Sequence, residues 1–230
     1  MWFWKKRKKV KLTFYTRRQK LIDILPPTAG MKNVPLWWKK KTQTVSITSC
    51  PGLIELYKRA ISVPLWTDHE IEFDQHRIIN VDIPGADPNS IYQYVTAHHP
   101  DQYNNAFNDY HHIKLINPWL VETDKMIPFL MTDAMWNRSS FGGYTIPPGV
   151  IEFKYQHACH VNIFLHKSTD VNRVKLNFAT PIIYLIPLED VDFDIEYKKI
   201  DNEKFLDLMP LTVTHNRNYQ KIKDLLEETK

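Results

Sequence analysis

His99-Pro100-Asp101 is the most concentrated coordination chemistry that the chain offers. A His-x-Asp pair can supply two of the three ligands of a facial iron site on a jelly-roll. A distant imidazole would be the third, His160 first, with His157 and His166 as alternates, and Arg173 or Lys175 would hold a co-substrate carboxylate. Pro100 disturbs any strand that would present both ligands, so a polar surface loop is the competing reading. In an extended His157-Ala158-Cys159-His160, His157 and Cys159 share one face while His160 points away. Zinc would need further ligands, and no second cluster has suitable spacing. The adjacent pairs His98-His99 and His111-His112 diverge in extended chain, as solvated or hydrogen-bonded imidazoles do. Asp68, Glu70, Glu72 and Asp74 alternate along one stretch, where they would bind a divalent cation or form the solvated face of a sheet buried through Ile71 and Phe73. Asp192, Asp194 and Glu196 repeat the pattern. Nucleophile elbows, phosphate loops and dinucleotide glycine fingerprints are absent, and Gly142-Gly143 is too short a signal.

Charge supplies a second kind of chemistry. Residues 1–41 hold thirteen Lys or Arg against one acid, Asp23, so the rest of a chain with 30 basic and 26 acidic residues carries a net −8. Lys5, Lys6, Arg7, Lys8, Lys9, Arg17, Arg18, Lys39, Lys40 and Lys41 are interleaved with Trp2, Phe3, Trp4, Trp37 and Trp38. Such a head suits phosphate contacts with base stacking, and hence a nucleic acid. It also suits docking on an acidic protein surface, including the acidic body of a neighbouring copy. The bland alternative is a solvated tail with tryptophans in the core.

The elements that must position these groups read mainly as β-strands. With 43% hydrophobic and 24% charged residues over 230 positions, one globular domain is expected. Six Gly against 15 Pro make turns fixed by Pro, Asn and Asp, and disfavour a parallel αβ fold with glycine-rich phosphate loops. Residues 1–9 read as a basic, aromatic tail and 10–230 as a single β-rich domain. Val10, Leu12 and Phe14 alternate as a strand does. Residues 26–44 read as an extended connection. A helix is predicted near 51–62, capped by Ser49 or Thr48, with Pro51 early and Leu53, Leu56, Tyr57 and Ala60 on one face. Two strands joined at about 74–76 follow, then a long polar excursion over 84–112.

From Ile113 onward the strand signal is strongest. Ile151, Phe153 and Tyr155 alternate, then Val161, Ile163 and Leu165, then Val174, Leu176 and Phe178. Thr180-Pro181 to Pro187 is an apolar run bracketed by prolines, and Val191, Phe193, Ile195 and Tyr197 alternate with acids. Strands at this spacing predict an antiparallel β-sandwich or jelly-roll. Tyr219, Ile222, Leu225 and Leu226 predict a short C-terminal helix. Cys50 and Cys159 form no disulfide framework or CxxC site and are expected to be buried free thiols. No stretch reaches the ~20 apolar residues of a membrane span. The N-terminus places its apolar residues before its charges, the reverse of a signal peptide. The expected place of action is the compartment of synthesis, or a particle assembled there.

Four ordered segments carry a resemblance. They are Pro35-Leu36-Trp37-Trp38-Lys39 ahead of Thr48-Ser49-Cys50-Pro51-Gly52; Val63-Pro64-Leu65-Trp66-Thr67-Asp68; Ile113 to Trp119; and Pro147-Pro148-Gly149-Val150 with Thr180-Pro181 to Pro187. In this order the chain, over roughly residues 10–200, resembles an uncharacterised family of tailed-phage proteins common in marine, especially cyanobacterial, phages. The resemblance implies a β-rich fold and an origin in a phage-infected bacterium, and it supplies no catalytic residue. The expected function is a phage-encoded, non-enzymatic protein that contacts other phage or host proteins, or its own copies, in the virion or its assembly. No cofactor is expected under that reading. The rivals are a jelly-roll enzyme with iron at His99, Asp101 and His160, and a nucleic-acid-binding accessory protein using the basic head.

Overall fold

Alternating apolar side chains decide most of the elements. A computed structural model describes residues 7–40, 46–104, 106–138, 143–154 and 156–209. Fifteen strands and three α-helices form among them. In chain order the first are β1 (Lys8–Thr16), α1 (Gln19–Ile24), β2 (Thr28–Ala29), α2 (Pro51–Arg59), β3 (Ile61–Pro64), β4 (His69–Phe73), β5 (Ile78–Asp82), β6 (Val95–Ala97), β7 (Tyr110–Leu115) and β8 (Leu120–Thr123). Then come β9 (Pro128–Asp133), β10 (Tyr144–Thr145), β11 (Gly149–Glu152), β12 (Val161–His166), β13 (Asn172–Leu176), β14 (Pro181–Pro187), β15 (Val191–Lys199) and α3 (Asn202–Leu208).

The chain is mainly β, as its period predicts, and every strand pairing among the described residues but one is antiparallel. The strands form four sheets, in the orders β15-β1-β8, β11-β9-β14-β3-β2, β13-β4-β5 and β10-β12-β7-β6. All four turn an apolar face to one cluster that contains Leu12 and Phe14, Val63 and Ile183, Ile71 and Phe73, and Ile113 and Ile163. Strand β14 is buried on both faces. Ile183 and Leu185 enter the common core while Tyr184 enters a second cluster with Leu53 and Tyr57 of α2. Its unbroken apolar run suits two-sided burial.

The exception in pairing is β1, which runs parallel to β15 in the register Lys8↔Val191 through Thr16↔Lys199. Nearly the whole chain lies between these strands, ample length for the crossover that parallel neighbours require.

Several expectations are corrected. Lys8 and Lys9, read as part of the tail, belong to β1. Helix α2 ends at Arg59, and Ile61–Pro64 is a fully buried strand, because Ile61, Ser62 and Val63 pair with Leu185, Tyr184 and Ile183 of β14. Neither Ser49 nor Thr48 caps α2. Both belong to a 3-10 turn, Ile47–Ser49, capped by Ser46, and Cys50 occupies the α2 N-cap with no side-chain hydrogen bond. Cys50 is exposed, so only Cys159 is the buried thiol.

The excursion over 84–112 contains β6 and the start of β7, which pair with each other. Phe178 lies beyond the end of β13 and is exposed, because the chain turns there through Ala179 at φ 63°. Strand β11 stops at Glu152, and Phe153 beyond it is buried in the core. Helix α3 was unanticipated; Asp201 caps it by accepting from Lys204 N at 2.8 Å. Tyr155, Gly142 and the expected helix at 219–226 lie outside the described residues.

Candidate functional site

Among the described residues the basic head does not stay together. Arg7 Nε lies 3.1 Å from Asp190, Lys8 Nζ 3.7 Å from Glu189 and Lys11 Nζ 2.8 Å from Glu196. The parallel register also sets Lys9 beside Asp192 and Lys11 beside Asp194. The hydrogen bond from Lys11 holds the Glu196 carboxyl below its ordinary range, and Glu196 in turn raises Lys11. Among the described residues, Arg7, Lys8 and Lys11 of the head therefore meet acids of β15 and of the residues just before it. Arg17 turns away to Asn202 Oδ1 at 2.5 Å and covers the Phe205 ring, while Arg18 stands 5.9 Å from the Tyr94 ring. Trp2, Phe3, Trp4, Lys5, Lys6 and Lys41 lie outside the described residues.

Trp37 and Trp38 form a different assembly. They lie on the 3-10 turn Leu36–Lys39 and are half-buried. Trp37 packs against Trp38 and Trp136 with ring centroids 5.9 and 6.1 Å apart, and Trp38 meets Tyr57 of α2 edge-on at 5.1 Å. Trp37 Nε1 donates to the Trp136 carbonyl at 3.0 Å.

Beneath the tryptophans, the Tyr57 and Tyr184 hydroxyls stand 3.1 Å apart and both reach Asn137 Oδ1. Asn137 Nδ2 donates to Asn33 O at 2.8 Å, so Asn137 ties three segments together. Burial raises both tyrosine hydroxyls, so they act as hydrogen-bonding groups and not as phenolates. Gly30 brings its turn against α2. Its N–H donates to Ala60 O at 2.7 Å, and a Cβ there would stand 2.7 Å from Tyr57 O.

This aromatic cluster has an exposed apolar fringe. Leu36, next to Trp37, is 80% exposed, and Met135, next to Trp136, is 44% exposed. Met31 and Ile47 project from the two 3-10 turns that pack on α2 and are also exposed. Lys39 and Lys40 are exposed beside them. Rigid aromatics, an apolar fringe and a basic rim can recognise a surface by burial and charge. Trp37 and Trp38 were singled out in the sequence as contact candidates; Tyr57, Trp136, Asn137 and Tyr184, which pack with them, were not. Their only local signal is aromatic type, because the cluster joins four segments distant in sequence.

Among the described residues the predicted iron ligands His99, Asp101 and His160 do not converge, although His98 and His112 stack with ring centroids 4.2 Å apart. His99 Nδ1 lies 3.2 Å from Asp101 Oδ2, and both side chains are largely in solvent. His160 is elsewhere employed: its Nδ1 accepts the Asn117 N–H at 3.2 Å, and burial with nearby Lys114 lowers it to about 4. His157 Nδ1 donates to Val121 O at 2.9 Å. Cys159 is fully buried and pushed up to about 12, with Asn117 Nδ2 on its Sγ at 3.2 Å. Among the described residues no three His, Cys, Asp or Glu side chains converge as a metal site. Glu70 and Glu72 line one face of β4 and pair with Arg173, as a solvated sheet face would. Asp68 instead accepts Phe178 N, and Asp74 Oδ1 closes the β4–β5 turn by accepting from His76 N and Arg77 N.

Fold and surface together define a mainly β protein with a tryptophan-centred patch. No protein-family model, curated protein or solved structure matches the chain. Among the described residues no helix is long and apolar enough to cross a membrane.

Proposed function

We propose that this is a phage-encoded, non-enzymatic protein that acts in the virion or its assembly through contact with another phage or host protein, or a second copy, and that the tryptophan-centred patch makes the contact. The observation that carries the reading is Leu36, 80% exposed on the rim of a packed Trp37–Trp38–Trp136 group. Fully burying such a side chain contributes roughly 1.5–3 kcal/mol. The tryptophans beneath are already held by one another and by Tyr57, so docking costs little ordering entropy. Lys39 and Lys40 favour a partner with an acidic rim. The resemblance to tailed-phage proteins supports the setting, and the first of its four segments, Pro35–Lys39 with Thr48–Gly52, borders this patch. Nucleic-acid binding through the head has less support, because Arg7, Lys8 and Lys11 already spend their charge on β15 and the residues just before it.

A photo-crosslinking residue at Leu36 of the full chain, produced during infection, tests the proposal. It is expected to give a discrete product with one phage, host or self partner, which Met135→Asp removes. The same probe at Val171, exposed but outside the cluster, is expected to give none. A chain that sediments as a monomer, yields no product from Leu36 and is missing from purified particles overturns it.

A further inference from the structure

The outer face of the sheet β10-β12-β7-β6 carries rings that neither the common core nor the contact patch uses. His98 and His112 oppose each other at the edge of this sheet, where His98 N donates to His112 O at 2.9 Å and the two rings stack with centroids 4.2 Å apart. Phe164 of β12 lies 4.6 Å from the His112 ring. Tyr103, on the 3-10 turn Pro100–Tyr103, packs on His112 at 5.7 Å, and Phe107 packs on Phe164 at 5.1 Å. Strand β6 is three residues long and, among the described strands, pairs with β7 alone. Residues 95–103 therefore form a strap over His112, held by a short ladder and by ring contacts.

The strap closes over imidazole nitrogens that it does not satisfy. Both ring nitrogens of His112 and Nε2 of His98 are buried with no hydrogen-bond partner among the described residues, while His98 Nδ1 donates to Gln102 Oε1 at 2.6 Å. The groups around His112 are neutral or basic: His98 just after β6, Lys114 on its own face of β7, Asn162 and Phe164 from β12, and Tyr103 from the turn. Asp101, the acid on the turn, lies beside His99 in solvent. Burial first, then the His98 ring, lower the His112 pKa to about 4; Lys114 adds to the fall and Asn162 pulls against it. The Phe164 and Tyr103 rings attract a cation, but by less than the hydration that a buried imidazolium gives up.

We infer that His98 and His112 form an acid-operated latch: a proton on His112 releases residues 95–103 from β7, uncovering the β7 edge and the Phe164 ring while the common core stays folded. Once detached, the imidazole recovers its hydration and its ordinary pKa of 6.5. The strap is fully held above that value and loosens as pH falls toward the folded one, about tenfold per pH unit.

The test is amide hydrogen exchange on the full chain at pH 7 and 4.5, with protection corrected for the intrinsic rate at each pH. Amides of Thr96 and His98 are expected to lose protection about fiftyfold, while those of Ile113 and Ile163, paired between β7 and β12, lose far less. In His112→Phe, which keeps a ring in the stack, the acid-dependent loss at Thr96 and His98 is expected to shrink to that of the reference amides. Titration of the His112 ring in the unaltered chain, followed by nuclear magnetic resonance, needs no variant and is expected to show a midpoint well below 6.5. Strap protection that is unchanged at pH 4.5, or lost in step with Ile113 and Ile163, overturns the proposal. So does a loss that His112→Phe leaves intact, or a His112 midpoint at its ordinary value.

Discussion

His69 illustrates how one residue couples the core to pH. It is wholly buried, its Nδ1 donates to Thr67 O at 3.0 Å, its Nε2 has no partner among the described residues, and the edge of Trp66 packs on it. Burial lowers its pKa from 6.5 to about 4, so the folded state keeps the ring neutral where the unfolded chain would protonate it. A depressed histidine leaves stability intact above the unfolded value and withdraws it as pH falls toward the folded one. At about 1.4 kcal/mol per pH unit, His69 alone withdraws about 3 kcal/mol between pH 6.5 and 4. His112 and His160, both lowered to about 4 chiefly by burial, act in the same direction. Urea midpoints from pH 7.5 to 4.5 should therefore fall steeply, and His69→Gln should flatten the slope; an unchanged slope would show that His69 is not held neutral. The residue types announce an ionisable chain here, but its neutrality depends on β4 lying against β13 and β5, which no neighbouring residue encodes.

At the scale of elements, β1 separates charge from packing. Its outer side chains meet the acids of β15, while Val10, Leu12 and Phe14 enter the core. Exposed ion pairs contribute little, whereas a buried Leu truncated to Ala costs about 2–5 kcal/mol. Lys11→Ala should leave the denaturation midpoint within scatter, and Leu12→Ala should lower stability by that larger amount. The reverse order would mean that charge drives the parallel pairing. Helix α3 depends on its cap: Asp201→Ala should cost about 1 kcal/mol, read by thermal melting, with Asp201→Asn largely neutral. The β1 strand was readable from its alternation. The cut between α2 and β3 was not, because Ala60, Ile61 and Val63 satisfy a helical face and a buried strand equally well, and only pairing with β14 decides.

For the whole molecule, the decisive feature is that one apolar cluster draws on all four sheets. Trp119 sits within it, 6.2 Å from Phe14 and 6.3 Å from Tyr197 between ring centroids, so its environment reports on that core. Tryptophan fluorescence and far-ultraviolet circular dichroism are expected to trace a single coincident unfolding transition. Two resolved transitions would mean that the sheets fold separately. The mainly β character, the inward faces of β4, β12 and β15, and the outward acids follow from the sequence alone, since a two-residue period is a property of adjacent side chains. That β1 lies parallel to β15, that Arg7, Lys8 and Lys11 meet acids of the same chain, and that Trp37 and Trp38 pack on Trp136 and Tyr57 were decided by tertiary structure. Those contacts join segments far apart in the chain. Their selection depends on how the sheets close over a common core, and no local pattern records that closure.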